Sequence, residues 1–140
     1  QEVVAVKEVV PMKPVGKKVL VIDDEQPIRD LVTDVLFMYD VPVLSAHSGP
    51  AGIELFNENQ RDIGLIILDL SMPGMNGEDT CRALRELDQH VNIIVSSGYH
   101  KDDVAERFRD LNLTGFLQKP YNPRQLVSEV KERLGEDVPV

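Results

Sequence analysis

The sequence predicts an α/β fold, a doubly wound, five-stranded parallel sheet with helices on both faces. Three observations predict it. Short apolar runs alternate strictly with amphipathic stretches, five times along the chain, and parallel neighbours need the crossover helices that such alternation supplies. The run Leu65-Ile66-Ile67-Leu68 holds no polar residue, which fits a central strand covered on both faces. Two runs then stop in acid, at Asp23-Asp24-Glu25 and at Asp69, on the carboxyl-end edge where open sheets of this kind bind ligands.

Each element has its own local cause. Residues 1–16 carry Val3, Val4, Val6, Val9 and Val10, interrupted by Pro11, Pro14 and Gly16, and read as a linker whose valines could add a strand to a sheet edge. Lys17-Lys18-Val19-Leu20-Val21-Ile22 is the first strand. From Pro27 the period becomes helical, with Ile28, Leu31, Val32, Val35, Leu36 and Tyr39 on one face and proline tolerated in the first turn. Val41 to Ala46 is a short second strand, and Ser48-Gly49-Pro50 opens a helix to about Glu58 with Ile53, Leu55 and Phe56 inward.

After the Asp69 strand, Gly77 to Leu87 is a helix burying Cys81, Leu84 and Leu87, and Val91 to Val95 is the fourth strand, ending at Ser96-Ser97-Gly98. Lys101 to Leu111 is a helix with only Val104, Ala105, Phe108 and Leu111 to bury, so it is the element expected to be held least firmly. Gly115-Phe116-Leu117-Gln118 is the last strand. Asn122 caps the final helix, Pro123 opens it, Leu126, Val127, Val130 and Leu134 bury it, and Gly135 ends it. One domain over 17–135, followed by a short tail at 136–140, accounts for the chain.

Composition narrows the function. Twenty-four acidic against 15 basic residues give a net charge of -9, and with no basic cluster a nucleic-acid backbone is repelled. Cys81 is the only cysteine, which excludes an internal disulfide and a cysteine-based zinc site. No apolar run is long enough to span a bilayer and no signal peptide opens the chain, so a soluble, cytoplasmic protein without membrane contact is expected. The first residue is Gln rather than Met, which reads as a piece of a longer protein.

With all strands parallel, Asp23, Asp24, Asp69, Ser97 and Lys119 meet at one sheet edge. Three carboxylates that close resist joint ionisation unless a cation joins them. Oxygen-only ligands with room for water and phosphate suit magnesium. In that setting Asp69 is a candidate nucleophile forming an acyl phosphate, Lys119 a clamp on one phosphoryl oxygen and Ser97 a hydrogen-bond donor to another. Each residue also has an ordinary reading, as a turn cap, an acidic helix start, a solvated lysine or a turn hydroxyl. Their joint placement on separate strand ends is what favours a site.

The ordered set Val-Leu-Val-Ile-Asp23-Asp24-Glu25, Leu-Ile-Ile-Leu-Asp69 with Met72-Pro73-Gly74-Met75-Asn76-Gly77, Ser97-Gly98-Tyr99 and Phe116-Leu117-Gln118-Lys119-Pro120 resembles the response-regulator receiver domain, the CheY-like phosphoacceptor of two-component signalling. The resemblance implies a flavodoxin-like strand order 2-1-3-4-5 and a phosphoryl group passed from a histidine-kinase or phosphotransfer-domain phosphohistidine to Asp69. It implies magnesium held by Asp24, Asp69 and the main-chain carbonyl of Ser71, with Asp23 acting through water. Ser97 would be the switch hydroxyl, Phe116 its aromatic partner, and Lys119-Pro120 a cis peptide. A phosphoryl group would draw the Ser97 hydroxyl inward, let Phe116 turn and repack the fourth helix and last strand. Ser71 and Tyr99 would flank the hydrolytic water, with bulky Tyr99 prolonging the phosphorylated state.

Two positions depart from the commonest pattern, Ser97 in place of threonine and Gly52 in place of alanine. Ser96 is a second hydroxyl beside Ser97, and only the spacing to Lys119 favours Ser97. A haloacid-dehalogenase-type phosphatase would need a second acid where Ser71 stands. A flavin domain would need a phosphate loop where Asp23-Asp24-Glu25 stands. A non-phosphorylated interaction module would have no reason to keep both acids and the lysine. The sequence context favours the C-terminal receiver of a hybrid histidine kinase, with a stand-alone receiver as the alternative, and a second copy joined through the fourth and fifth helices is a candidate partner.

Overall fold

The computed structural model describes residues 16–72, 74–98 and 101–135. The valine-rich stretch expected to be a linker or extra strand, apart from Gly16, lies outside those residues, as do Tyr99 and the tail. Five parallel strands, β1 (Lys18–Ile22), β2 (Val43–Ala46), β3 (Ile63–Asp69), β4 (Asn92–Ser97) and β5 (Gly115–Gln118), form a sheet in the order β2-β1-β3-β4-β5. This is the expected 2-1-3-4-5 order. The helices are α1 (Gln26–Phe37), α2 (Gly49–Glu58), α3 (Gly77–Leu87), α4 (Lys101–Arg107) and α5 (Pro123–Leu134).

Strand alternation splits the core in two. Val19, Val21, Leu65, Ile67 and Ile94 pack under α1 and α5 with Val32, Leu36, Leu126 and Val130. Leu20, Ile22, Ile66, Leu68, Ile93 and Val95 pack under α2, α3 and α4 with Phe56, Cys81, Leu84 and Phe108. Every residue of β3 is buried, so the strand that ends in Asp69 is locked from both faces, each large side chain contributing about 1.5–3 kcal/mol. Gly16, read as the end of the linker, is buried in the fold, where a Cβ would stand 2.8 Å from the Ile63 nitrogen.

The third strand begins at Ile63, two residues before the expected run, and three further segments differ from expectation. Tyr39 and Val41 leave their expected helix and strand because α1 closes in a Schellman turn, with Val41 N–H donating to Leu36 O (3.0 Å) and Asp40 N–H to Phe37 O (3.1 Å). Asp40 takes the left-handed position at φ 61°, a place glycine occupies more readily. The fourth strand starts at Asn92 and runs on through both serines. The expected helix Lys101 to Leu111 stops at Arg107 and continues as a 3-10 turn, Arg109–Leu111, ended by left-handed Asn112.

Arg85 explains the last of these. Its guanidinium donates to the carbonyls of Leu111 (2.8 Å), Asn112 (2.7 Å) and Val91 (2.7 Å), pairing an acceptor that the end of the 3-10 turn leaves open and tying that end to the start of β4. Val104 and Phe108 are buried as expected, but Ala105 is exposed. The apolar face of α4 is thinner still than the sequence implies.

Candidate functional site

The carboxyl ends of β1, β3, β4 and β5 build the site. Asp23, directly after β1, and Asp69, the last residue of β3, are both buried. Each is pinned by the same local device, an aspartate oxygen accepting the main-chain N–H two residues on. Asp23 Oδ1 takes Glu25 N–H at 2.9 Å, and Asp69 Oδ1 takes Ser71 N–H at 3.0 Å. Arg29, from the first turns of α1, donates to the Asp23 carbonyl at 2.8 Å and holds the turn against the helix.

Lys119 enters from beyond β5. Its Nζ lies 3.0 Å from Asp23 Oδ2, 3.3 Å from Asp69 Oδ1 and 3.3 Å from Glu25 Oε2. The following Lys119-Pro120 bond is cis, as expected. Carboxylate oxygens of Asp23, Asp24, Glu25 and Asp69 all fall within 4.8 Å of one another. Asp24 and Ser71 are exposed, so the cluster has a buried floor and an open rim.

The electrostatics follow from that burial. Desolvation pushes the Asp69 carboxyl up to about 6, opposed by the Ser71 N–H, reinforced by the Asp23 charge and relieved in part by Lys119. Burial pulls the Lys119 ammonium down, but the Asp23 hydrogen bond and the charges of Asp23 and Asp69 outweigh it and hold the ammonium above its usual range. Among the described residues Asp69 Oδ2 has no hydrogen-bond donor. A buried carboxylate with one oxygen unsatisfied, facing further acids at ligand distance, is a donor set fitted to a hard divalent ion.

Ser97 and Phe116 also reach this edge. Ser97 is the buried last residue of β4. Val95, two residues earlier, registers with Phe116, and both pack on the core beneath α2, α3 and α4. By alternation Ser97 shares that face. Ser96 registers with Asp69 on the opposite face, where Tyr121 is buried. Burial pushes the Tyr121 phenol up to about 12, and neither its hydroxyl nor that of Ser96 has a hydrogen-bond partner among the described residues.

A family profile described as the response regulator receiver domain matches residues 19–131. The chain belongs to the response regulator receiver family. The receiver is 33% identical over 115 residues to the transcriptional regulatory protein CpxR of Escherichia coli K12, a match covering 81% of this chain and 47% of that protein. It thus spans about half the length of the curated relatives it matches. Chemotaxis protein CheY4 of Vibrio cholerae superposes with TM-score 0.79 at 25% identity, covering 86% of this chain and all of that one (100%). A receiver domain protein of Clostridium thermocellum gives TM-score 0.77 at 29% identity, covering 84% and 93%.

Receiver domains are the phosphoacceptors of two-component systems, signalling switches that work with histidine kinases or phosphotransfer partners, and the phosphatase and interaction-module readings are not favoured. Asp23, Asp24, Asp69 and Lys119 converge in this receiver, and Ser71 joins them through its N–H. Tyr99 lies outside the described residues. One participant, Glu25, has no assigned role in the sequence reading, although it is the third acid in a row. No helix among the described residues is long and apolar enough to cross a membrane.

Proposed function

We propose that Asp69 is the phosphoacceptor, taking a phosphoryl group from a phosphohistidine of its kinase or phosphotransfer partner. The observation that carries this reading is the Asp69 carboxylate, buried, with one oxygen anchored by Ser71 and Lys119 and the other without a donor. That second oxygen attacks phosphorus as the bond from phosphorus to the imidazole nitrogen breaks, and the bond's electron pair returns to the ring. Asp24, Asp69 and the Ser71 carbonyl, with Asp23 through water, would hold magnesium. When bound, the ion would supply charge neutralisation at the phosphoryl oxygens. Lys119 serves as a point-charge clamp on a phosphoryl oxygen, and Ser97 as a hydroxyl donor to another.

The switch reading draws support from packing. A groove of about 340 Å³ beside Phe116 is lined by Val95, Val104, Ala105, Leu113 and Arg133, giving the half-buried ring space to turn when Ser97 moves toward the phosphoryl group. The lightly anchored α4 is the element such a turn repacks, and a differential contact of ~1–3 kcal/mol is enough to bias it. The α4 and α5 surface around this groove is the face on which a phosphorylated homodimer would form. Ser71 and Tyr99 are proposed to tune hydrolysis, with Tyr99 shielding the acyl phosphate from water. A cytoplasmic location fits this reading.

The test is incubation with acetyl phosphate and magnesium, reading intact mass. The parent gains one phosphoryl group and Asp69→Asn gains none. Equal labelling of the two proteins refutes the assignment.

A further inference from the structure

Lys119 is held by three carboxylates, and they are not alike. Asp23 and Asp69 are 1% exposed at the side chain, whereas Glu25 is 59% exposed. Glu25 is also the N-cap residue of α1, yet its side chain makes no capping hydrogen bond. Ser48, Asn76 and Asn122 occupy the corresponding positions of α2, α3 and α5, and each accepts from a main-chain N–H of its own helix. Glutamate is a poor choice for a cap, and here its carboxylate turns away from the helix to reach Lys119.

We infer that Glu25 is a positioning residue that restrains Lys119 in the unphosphorylated protein and must let go when a phosphoryl group arrives. The inference rests on Lys119 acting as the phosphoryl clamp proposed above. An ammonium has three donors, and three carboxylates stand around this one. A phosphoryl oxygen must therefore displace a partner. Asp23 cannot withdraw, because it is buried and its other oxygen is tied to the Glu25 N–H. Asp69 carries the phosphoryl group. Glu25, on a long exposed side chain, is the partner that can swing into water at small cost.

The resting contact thus competes with phosphorylation, and its charge, inside the acidic cluster, adds repulsion toward the incoming anion. Removing it leaves Lys119 still aimed by Asp23 and Asp69. The net effect of losing Glu25 is tighter engagement of the phosphoryl group, by about fivefold for a partly solvated ion pair.

The experiment is calorimetric titration of the parent, Glu25→Gln and Glu25→Asp with beryllofluoride, a tetrahedral phosphoryl mimic, at saturating magnesium. Glu25→Gln binds about fivefold more tightly. Glu25→Asp, which keeps the charge but is one methylene short of Lys119, shifts the same way and melts higher because aspartate caps α1. A metal-free readout accompanies these: proton exchange of the Lys119 ammonium, followed by NMR, is faster in both variants than in the parent. Unchanged or weaker mimic binding by Glu25→Gln, parental binding by Glu25→Asp, or unchanged ammonium exchange overturns the role of Glu25 alone. Absence of mimic binding and of phosphoryl uptake in the parent overturns the clamp reading and this inference together.

Discussion

Replacing Asp69 by asparagine should stabilise the metal-free receiver once the pH rises above about 4. Burial raises the Asp69 carboxyl from 3.8 to about 6 in the folded chain. A carboxyl with a raised folded pKa favours folding fully while both states are protonated, then loses that advantage as pH climbs from the unfolded value through the folded one. A difference of about two units corresponds to roughly 3 kcal/mol at the upper plateau. Asparagine keeps the shape and removes the charge, so the variant carries no such loss. Urea unfolding followed by circular dichroism, with chelator present, would be run on both proteins from pH 4 to 7.5. Titrating groups remote from the Asp69 cluster are common to the two and cancel in the difference. The gap in unfolding free energy should widen in favour of Asp69→Asn by about 2–3 kcal/mol between pH 4 and pH 7, then narrow when magnesium is added, because the ion stabilises only the parent appreciably. A gap that stays flat or shrinks as pH rises would refute the electrostatic account of the site.

Two further changes test how the fold supports the site. At Gly77 an added Cβ would stand 2.7 Å from Leu70 Cα and 3.3 Å from the Asp69 carbonyl, so Gly77→Ala should push the α3 start off the Asp69 turn. The expected outcome is a loss of about 1–3 kcal/mol in unfolding free energy and slower phosphoryl uptake by mass. At the end of α1, Asp40→Gly should gain about 1 kcal/mol in thermal or urea unfolding, because glycine suits the left-handed position and a carboxylate opposes the helix C-terminal dipole.

Much of this protein is legible from local pattern. The alternation of apolar strands and amphipathic helices leads to a parallel sheet, and a parallel sheet gathers Asp23, Asp69, Ser97 and Lys119 at one edge without any knowledge of side-chain contacts. Caps at Ser48 and Asn122 and the thin face of α4 follow from nearest neighbours along the chain, so they too can be read directly. Tertiary structure decided the rest. The helical stretch after Lys101 stops at Arg107, and Arg85 on α3 takes the carbonyls of Leu111 and Asn112, a partner 26 and 27 residues away. Which face Ser97 shares with Phe116 depends on strand register, and that is set by the neighbouring strand. The reach of Glu25 to Lys119 spans 94 residues. The raised Asp69 carboxyl reflects how far the assembled protein excludes water from it. Hydrophobic period and capping act over a few residues, so a linear sequence displays them. Burial and charge pairing act across space, and they acquire values only when distant segments are packed together.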